Sequence, residues 1–209
     1  MVFPFLVLAV GATAVALGQT PAPTRPRTLI AGARILDAAA GVYLPPSFVL
    51  VEGDRITSVD TKQPASLLED TETVDASGLT IVPGLIDAHA QVSPTDDLDA
   101  DYFALMNLAH GVTSVRGINV RTAWGVSQRQ RLASGRSLGP RLFTSGRGLD
   151  AAARSDLWLF DVSSPAVATD EARHQASAGV DWVVGYGHLP VELYRALVAA
   201  VSGTATRVA

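Results

Sequence analysis

The chain carries 209 residues, 48% of them hydrophobic and 17% charged, with a net charge of −4. That is ample apolar material for a core, and the acidity is spread without runs, so no basic stripe exists to neutralise phosphates and nucleic acid is excluded as a partner. Cysteine is absent, which rules out disulfides and thiolate ligands and leaves His, Asp, Glu or a modified Lys to hold any metal.

The chain opens on an uncharged apolar run, Val2 to Leu17, followed by small residues around Gly18. This pattern predicts a signal peptide over residues 1–18, cleaved before Gln19, and a secreted or periplasmic protein. The alternative is an uncleaved membrane anchor, although the run is shorter than the roughly 20 residues that span a bilayer and no Lys or Arg precedes it. Residues 19–27 (QTPAPTRPR) are rich in Pro and Thr and read as an extended linker.

Residues 28–80 alternate short β-prone runs with turn residues: Leu29 to Leu36, Ser47 to Glu52, Arg55 to Val59 and Leu79 to Val82. Glu52-Gly53-Asp54-Arg55 reads as a tight hairpin, because Gly and Asp tolerate the positive φ of such turns. These runs predict a small β-domain of sandwich type.

From residue 81 to 209 the rhythm becomes an apolar strand followed by a longer amphipathic segment. Strands are expected at Ile81 to Asp87, Thr113 to Arg116, Arg141 to Ser145 and Trp182 to Tyr186. Helices are expected at Asp99 to His110, Arg121 to Ser134, Thr169 to Ala178 and Pro190 to Ser202. Gly111, Gly135 and Gly179 stand where left-handed C-caps belong, and Thr169-Asp170-Glu171 makes a helix start. Alternating β and α implies a parallel sheet with right-handed crossovers. Four βα units fit, with Thr204 to Val208 beginning a fifth strand. A closed eight-stranded barrel takes about 250 residues, so this segment is expected to form the N-terminal half of a TIM-like (β/α) barrel with open edges that invite self-association.

The stretch VDASGLTIVPGLIDAHAQV, Val74 to Val92, resembles the opening of the amidohydrolase superfamily, in which PGLIDxHxH ends the first barrel strand. Further landmarks agree with it: LAHGVTSVRG at Leu108 to Gly117, GPRLFTSGR at Gly139 to Arg147 and GVDWVVGYGHLP at Gly179 to Pro190. They look like the branch of imidazolonepropionase-like and prolidase-like metal-dependent hydrolases. The resemblance implies zinc or another divalent metal and a small-molecule substrate hydrolysed at a non-peptide carbon–nitrogen bond of the lactam or amide kind.

The chemistry of that motif is intelligible in its own right. Two His two residues apart at a strand end point the same way, so both reach one cation, which acidifies a bound water and polarises a carbonyl. Here the first position is His89 but the second is Gln91, a poor ligand for zinc. The resemblance puts Val184 where the family has a metal-bridging lysine, and Gly117 where it has a carboxylate. Asp87, two residues before His89, and His188, after the fourth strand, remain as further candidate ligands. His110 reads as a helix-end residue and His174 as solvated. The expectation is thus a metal-dependent hydrolase by lineage, incomplete as this chain and with few metal ligands left, or a non-catalytic binding or assembly module on the same fold.

Overall fold

The computed structural model describes residues 26–67, 69–91, 97–152 and 159–209. The expected signal peptide and most of the linker lie outside the described residues. The chain divides into two units between Val82 and Pro83.

The first unit contains five strands, β1 (Arg27–Asp37), β2 (Val42–Glu52), β3 (Arg55–Asp60), β4 (Thr71–Asp75) and β5 (Thr80–Ile81). They form one sheet in the order β3-β2-β1-β4, with β5 also on β1; β1-β2 and β2-β3 are antiparallel, and β4 and β5 run parallel to β1. The expected sandwich is corrected: among the described residues there is a single mixed sheet. Its buried side chains are few, Leu29, Ala33 and Val49 among them. β2 and β3 close at the pair Glu52 and Arg55. Gly53, first of the two turn residues, takes φ 61°, the glycine position of a II′ hairpin turn.

The second unit begins with β6 (Leu85–Ala90), α1 (Asp97–Ala109), β7 (Val112–Gly117), α2 (Thr122–Ala133) and β8 (Arg141–Thr144). It continues with β9 (Leu149–Asp150), β10 (Phe160–Asp161), α3 (Pro165–Ser177), β11 (Trp182–Val183), α4 (Val191–Val201) and β12 (Arg207–Val208). β6-β7-β8 form a parallel sheet and β11-β12 a parallel pair. A parallel bridge between Ser145 and Trp182 joins the two. The expected fifth strand is present as β12. The three cap glycines, Gly111, Gly135 and Gly179, adopt φ of 77°, 72° and 88°.

Two apolar clusters carry this unit. Ala90, Val115, Val120 and Leu142 pack with Phe103 of α1 and Trp124 and Leu132 of α2. Leu149, Val162, Val180 and Val183 pack with Ala168 and Ala172 of α3 and with Leu193, Leu197 and Val201 of α4. The α4 residues recur at intervals of four, so one stripe of the helix is buried. The start of α3 differs from expectation. Ser164 is the N-cap, its Oγ accepting from the Val167 amide at 3.3 Å, and Pro165 opens the first turn. Ser-Pro supplies both a capping oxygen and a preset φ, so it takes the helix start from Thr169, one turn later.

Candidate functional site at the strand ends

β6 reaches its C-terminal end through an irregularity. Asp87 pairs with Val115 and Ala90 with Gly117, so two residues of β6, Ala88 and His89, stand opposite the single residue Arg116 of β7. An extra residue reverses the alternation of faces. Asp87 and Ala90 therefore share the side of Val115, which is buried against the helices. His89 turns instead into a cleft of about 290 Å³ that it lines with Arg116, Ile118, Val184, Tyr186 and Ala209. The Asp87 carboxylate accepts the His89 backbone N–H at 3.0 Å. Period-two spacing alone had placed Asp87 and His89 on one face, and the bulge separates them.

The remaining expected positions are readily located. Gln91 is exposed and lies one residue past the end of β6. Val184 lines the cleft, and its carbonyl accepts the Leu149 amide at 2.9 Å. Gly117 is buried in β7, its carbonyl bonded to the Ser145 amide at 3.0 Å. His110 holds the Met106 carbonyl through Nδ1 at 2.8 Å, and His174 is exposed on α3.

His188 is 69% exposed, yet it is not loose. Asp150, buried on β9, accepts the His188 amide on Oδ1 and contacts the ring Nδ1 with Oδ2, both at 3.0 Å. The Ala151 amide adds a third bond to the same carboxylate, at 2.9 Å. A carboxylate on Nδ1 favours the tautomer protonated there and leaves Nε2 with its lone pair outward. Two residues before His188, toward β11, Tyr186 packs its ring over Gly148. Burial pushes the Tyr186 phenol above its ordinary pKa, so it stays neutral. Asp150 and Arg116 were not singled out in the sequence. An acid isolated in the apolar run Gly148-Leu149-Asp150-Ala151, and a charge interrupting strand alternation at Arg116, were the signals for them.

Comparison with known proteins bears on this site. No family model matches the chain. Adenine deaminase 2 of Rhizobium etli is 40% identical over 107 residues, which are 51% of this chain and 17% of that protein. A crystal structure from Bifidobacterium longum, provisionally assigned as a prolidase, superposes with a TM-score of 0.81 at 24% identity, covering 89% of this chain and 49% of that one. An amidohydrolase crystal structure superposes at 0.72 with 25% identity, over 87% of this chain and 55% of the other.

These likenesses support a member of the amidohydrolase superfamily.

It spans about half of each of these structural relatives and less than a fifth of the deaminase. Amidohydrolases are typically metal-dependent, so the donor set must be tested against that chemistry. A catalytic zinc takes three protein ligands and an open position. In this chain His89 offers one imidazole, Gln91 lies exposed past the strand, and Val184 has no donor atom in its side chain. Among the described residues no group of three or more His, Asp or Glu side chains converges. The described residues do not fit a catalytic metal.

Proposed function

We propose that the protein is a metal-dependent hydrolase by lineage, that its cleft at the strand ends binds a small organic molecule, and that this chain by itself does not complete the hydrolysis of a non-peptide carbon–nitrogen bond. One observation carries the reading: His89 and Val184 line the same cleft, and the motif resemblance sets the first at a ligand's position and the second at that of the bridging lysine. The likeness to adenine deaminase and to hydrolase structures supports the lineage, and the side chains of the cleft argue against self-sufficient chemistry. The same observation favours, as a second reading, a binding or assembly module that keeps the half-barrel without its metal. Export through residues 1–18 and self-association through the open edges belong to this proposal.

Metal analysis of the purified protein after dialysis tests it. Less than a tenth of an equivalent of zinc per chain is expected. One tightly held equivalent, lost in His89→Ala, would overturn the reading and make Asp87 or His188 ligands. Export is checked by fractionating a bacterial culture and measuring the N-terminal mass; an intact Met1 on a cytosolic product contradicts it.

A further inference from the structure

The cleft holds a cation that the proposed lineage leaves without a task. Arg116 is half-buried at the end of β7. Its Nε donates to the Ala88 carbonyl at 2.7 Å, and its guanidinium carbon lies 5.2 Å from the centre of the Trp182 ring. The bulge of β6 creates the first contact, since Ala88 is one of the two residues standing opposite Arg116. A carbonyl on one side and an aromatic face on the other fix the head group in place.

Those contacts use one of the five N–H donors of the guanidinium. Among the described residues no carboxylate, the chain's terminal one included, forms an ion pair with Arg116, and its two terminal amino groups have no acceptor. The neighbours add little negative charge, and the one carboxylate on the lining, the terminal group of Ala209, forms no ion pair with Arg116. His89, Ile118 and Val184 carry none, Tyr186 is kept neutral by burial, and the nearby Asp87 carboxylate is engaged by the His89 amide. A fixed, half-desolvated cation with free donors in a cleft of about 290 Å³ is a site for an anion.

The shape of the donors narrows the class. A guanidinium edge presents two parallel N–H groups that match the two oxygens of a planar carboxylate. Such an edge also pairs with two oxygens of a phosphate, but the dianion would leave its further charge and oxygens facing the apolar walls of the cleft. Ile118 and Val184 give the cleft apolar walls that suit the hydrocarbon part of an organic acid and offer nothing to an inorganic ion.

We propose that Arg116 is the anion-binding residue of this cleft and that the cleft takes a small organic carboxylate, paired with the terminal amino groups of Arg116 and laid against Ile118 and Val184. The inference rests on the reading of the cleft as the small-molecule site and not on any metal.

Calorimetric titration of the full chain with sodium benzoate, at fixed ionic strength and with a chelator present, tests it. Failure of the hydrolase reading appears in metal content and turnover, whereas failure here appears in metal-free binding. Saturable binding of benzoate is expected, with inorganic phosphate and chloride at least about fivefold weaker. Arg116→Ala should weaken benzoate about tenfold or more, the loss of a charge-assisted hydrogen-bonded pair. Arg116→Lys keeps the charge but not the fork and should bind several-fold more weakly than the parent chain; it also decides the matter if the alanine variant does not fold. Benzoate affinity unchanged in Arg116→Lys and Arg116→Ala, or equal to that of phosphate and chloride, overturns the proposal.

Discussion

Asp150 illustrates how a single buried carboxylate organises its surroundings. Its two oxygens satisfy two backbone amides and the ring of His188, so removing the charge unmakes several bonds at once. Asp150→Ala is expected to cost about 2–4 kcal/mol by urea denaturation, because buried donors lose their acceptor. In nitrogen-detected NMR the His188 ring should also lose its preference for a proton on Nδ1. Tyr186 gives a pH-dependent counterpart. Its phenol is raised by burial above its unfolded value of 10.0, so the folded chain binds that proton more tightly. The associated stability is intact below about pH 10 and is lost as pH rises toward the folded value. Denaturation midpoints between about pH 9 and 11 should therefore fall with pH, and less steeply in Tyr186→Phe. Neither role was legible beforehand, since the lone acid in the apolar run around Asp150 does not name its partner His188 and the burial of Tyr186 depends on Gly148, a partner distant in sequence.

At the level of elements, most of the second unit could be read directly. Apolar periodicity marked α1, α2 and α4 and the strands between them, and three glycines marked the ends of α1, α2 and α3, because those signals are local. Three features escaped for physical reasons. β4 (Thr71–Asp75) has Val74 as its one apolar residue and is held by its parallel ladder with β1, so its pattern is silent. α3 starts one turn early on Ser164, whose cap is a stronger signal than the acidic residues that follow. The bulge at Ala88 and His89 arises from register with β7 and leaves no mark in composition. Ser164→Ala should destabilise the protein by about 1 kcal/mol in chemical denaturation, whereas Thr169→Ala, whose hydroxyl bonds the exposed Pro165 carbonyl, should change stability by less than about 0.5 kcal/mol.

For the molecule as a whole, the motif at Val74 to Val92 identified the lineage but not the geometry behind it. His89 was readable as a strand-end residue, and its separation from Asp87 was not. Restoring both visible ligands, Gln91→His with Val184→Lys, is expected to raise metal affinity without producing turnover on a panel of lactams, amides and esters. Three properly spaced ligands are the minimum for a catalytic zinc, and position 91 lies past the end of the strand. Metal-dependent turnover by the double variant, abolished by His89→Ala, would contradict this. The apolar side chains left exposed on β6, Leu85 at 58% and Ile86 at 70%, are expected to make the chain associate at micromolar concentration. Light scattering should show a smaller species for Ile86→Lys.

The two apolar clusters of the second unit also imply a hierarchy in time. The sheet is continuous across β6, β7 and β8, but beyond β8 the ladder toward β11 and the residues after it is reduced to two isolated bridges, Ser145 with Trp182 and Leu149 with Gly185. Beside that seam the Asp181 carboxylate receives both Arg129 of α2, at 2.7 Å, and the Thr144 amide of β8, at 2.8 Å. A seam with few ladder bonds and one shared carboxylate is where a structure opens below its global unfolding energy. Amide hydrogen exchange should therefore sort α3, α4, β11 and β12 into one protection class and β7, β8 and α2 into another. Asp181→Asn should widen the gap between their exchange rates while leaving each class internally uniform. The carboxylate then acts as a kinetic latch, coupling two cooperative blocks that would otherwise breathe independently.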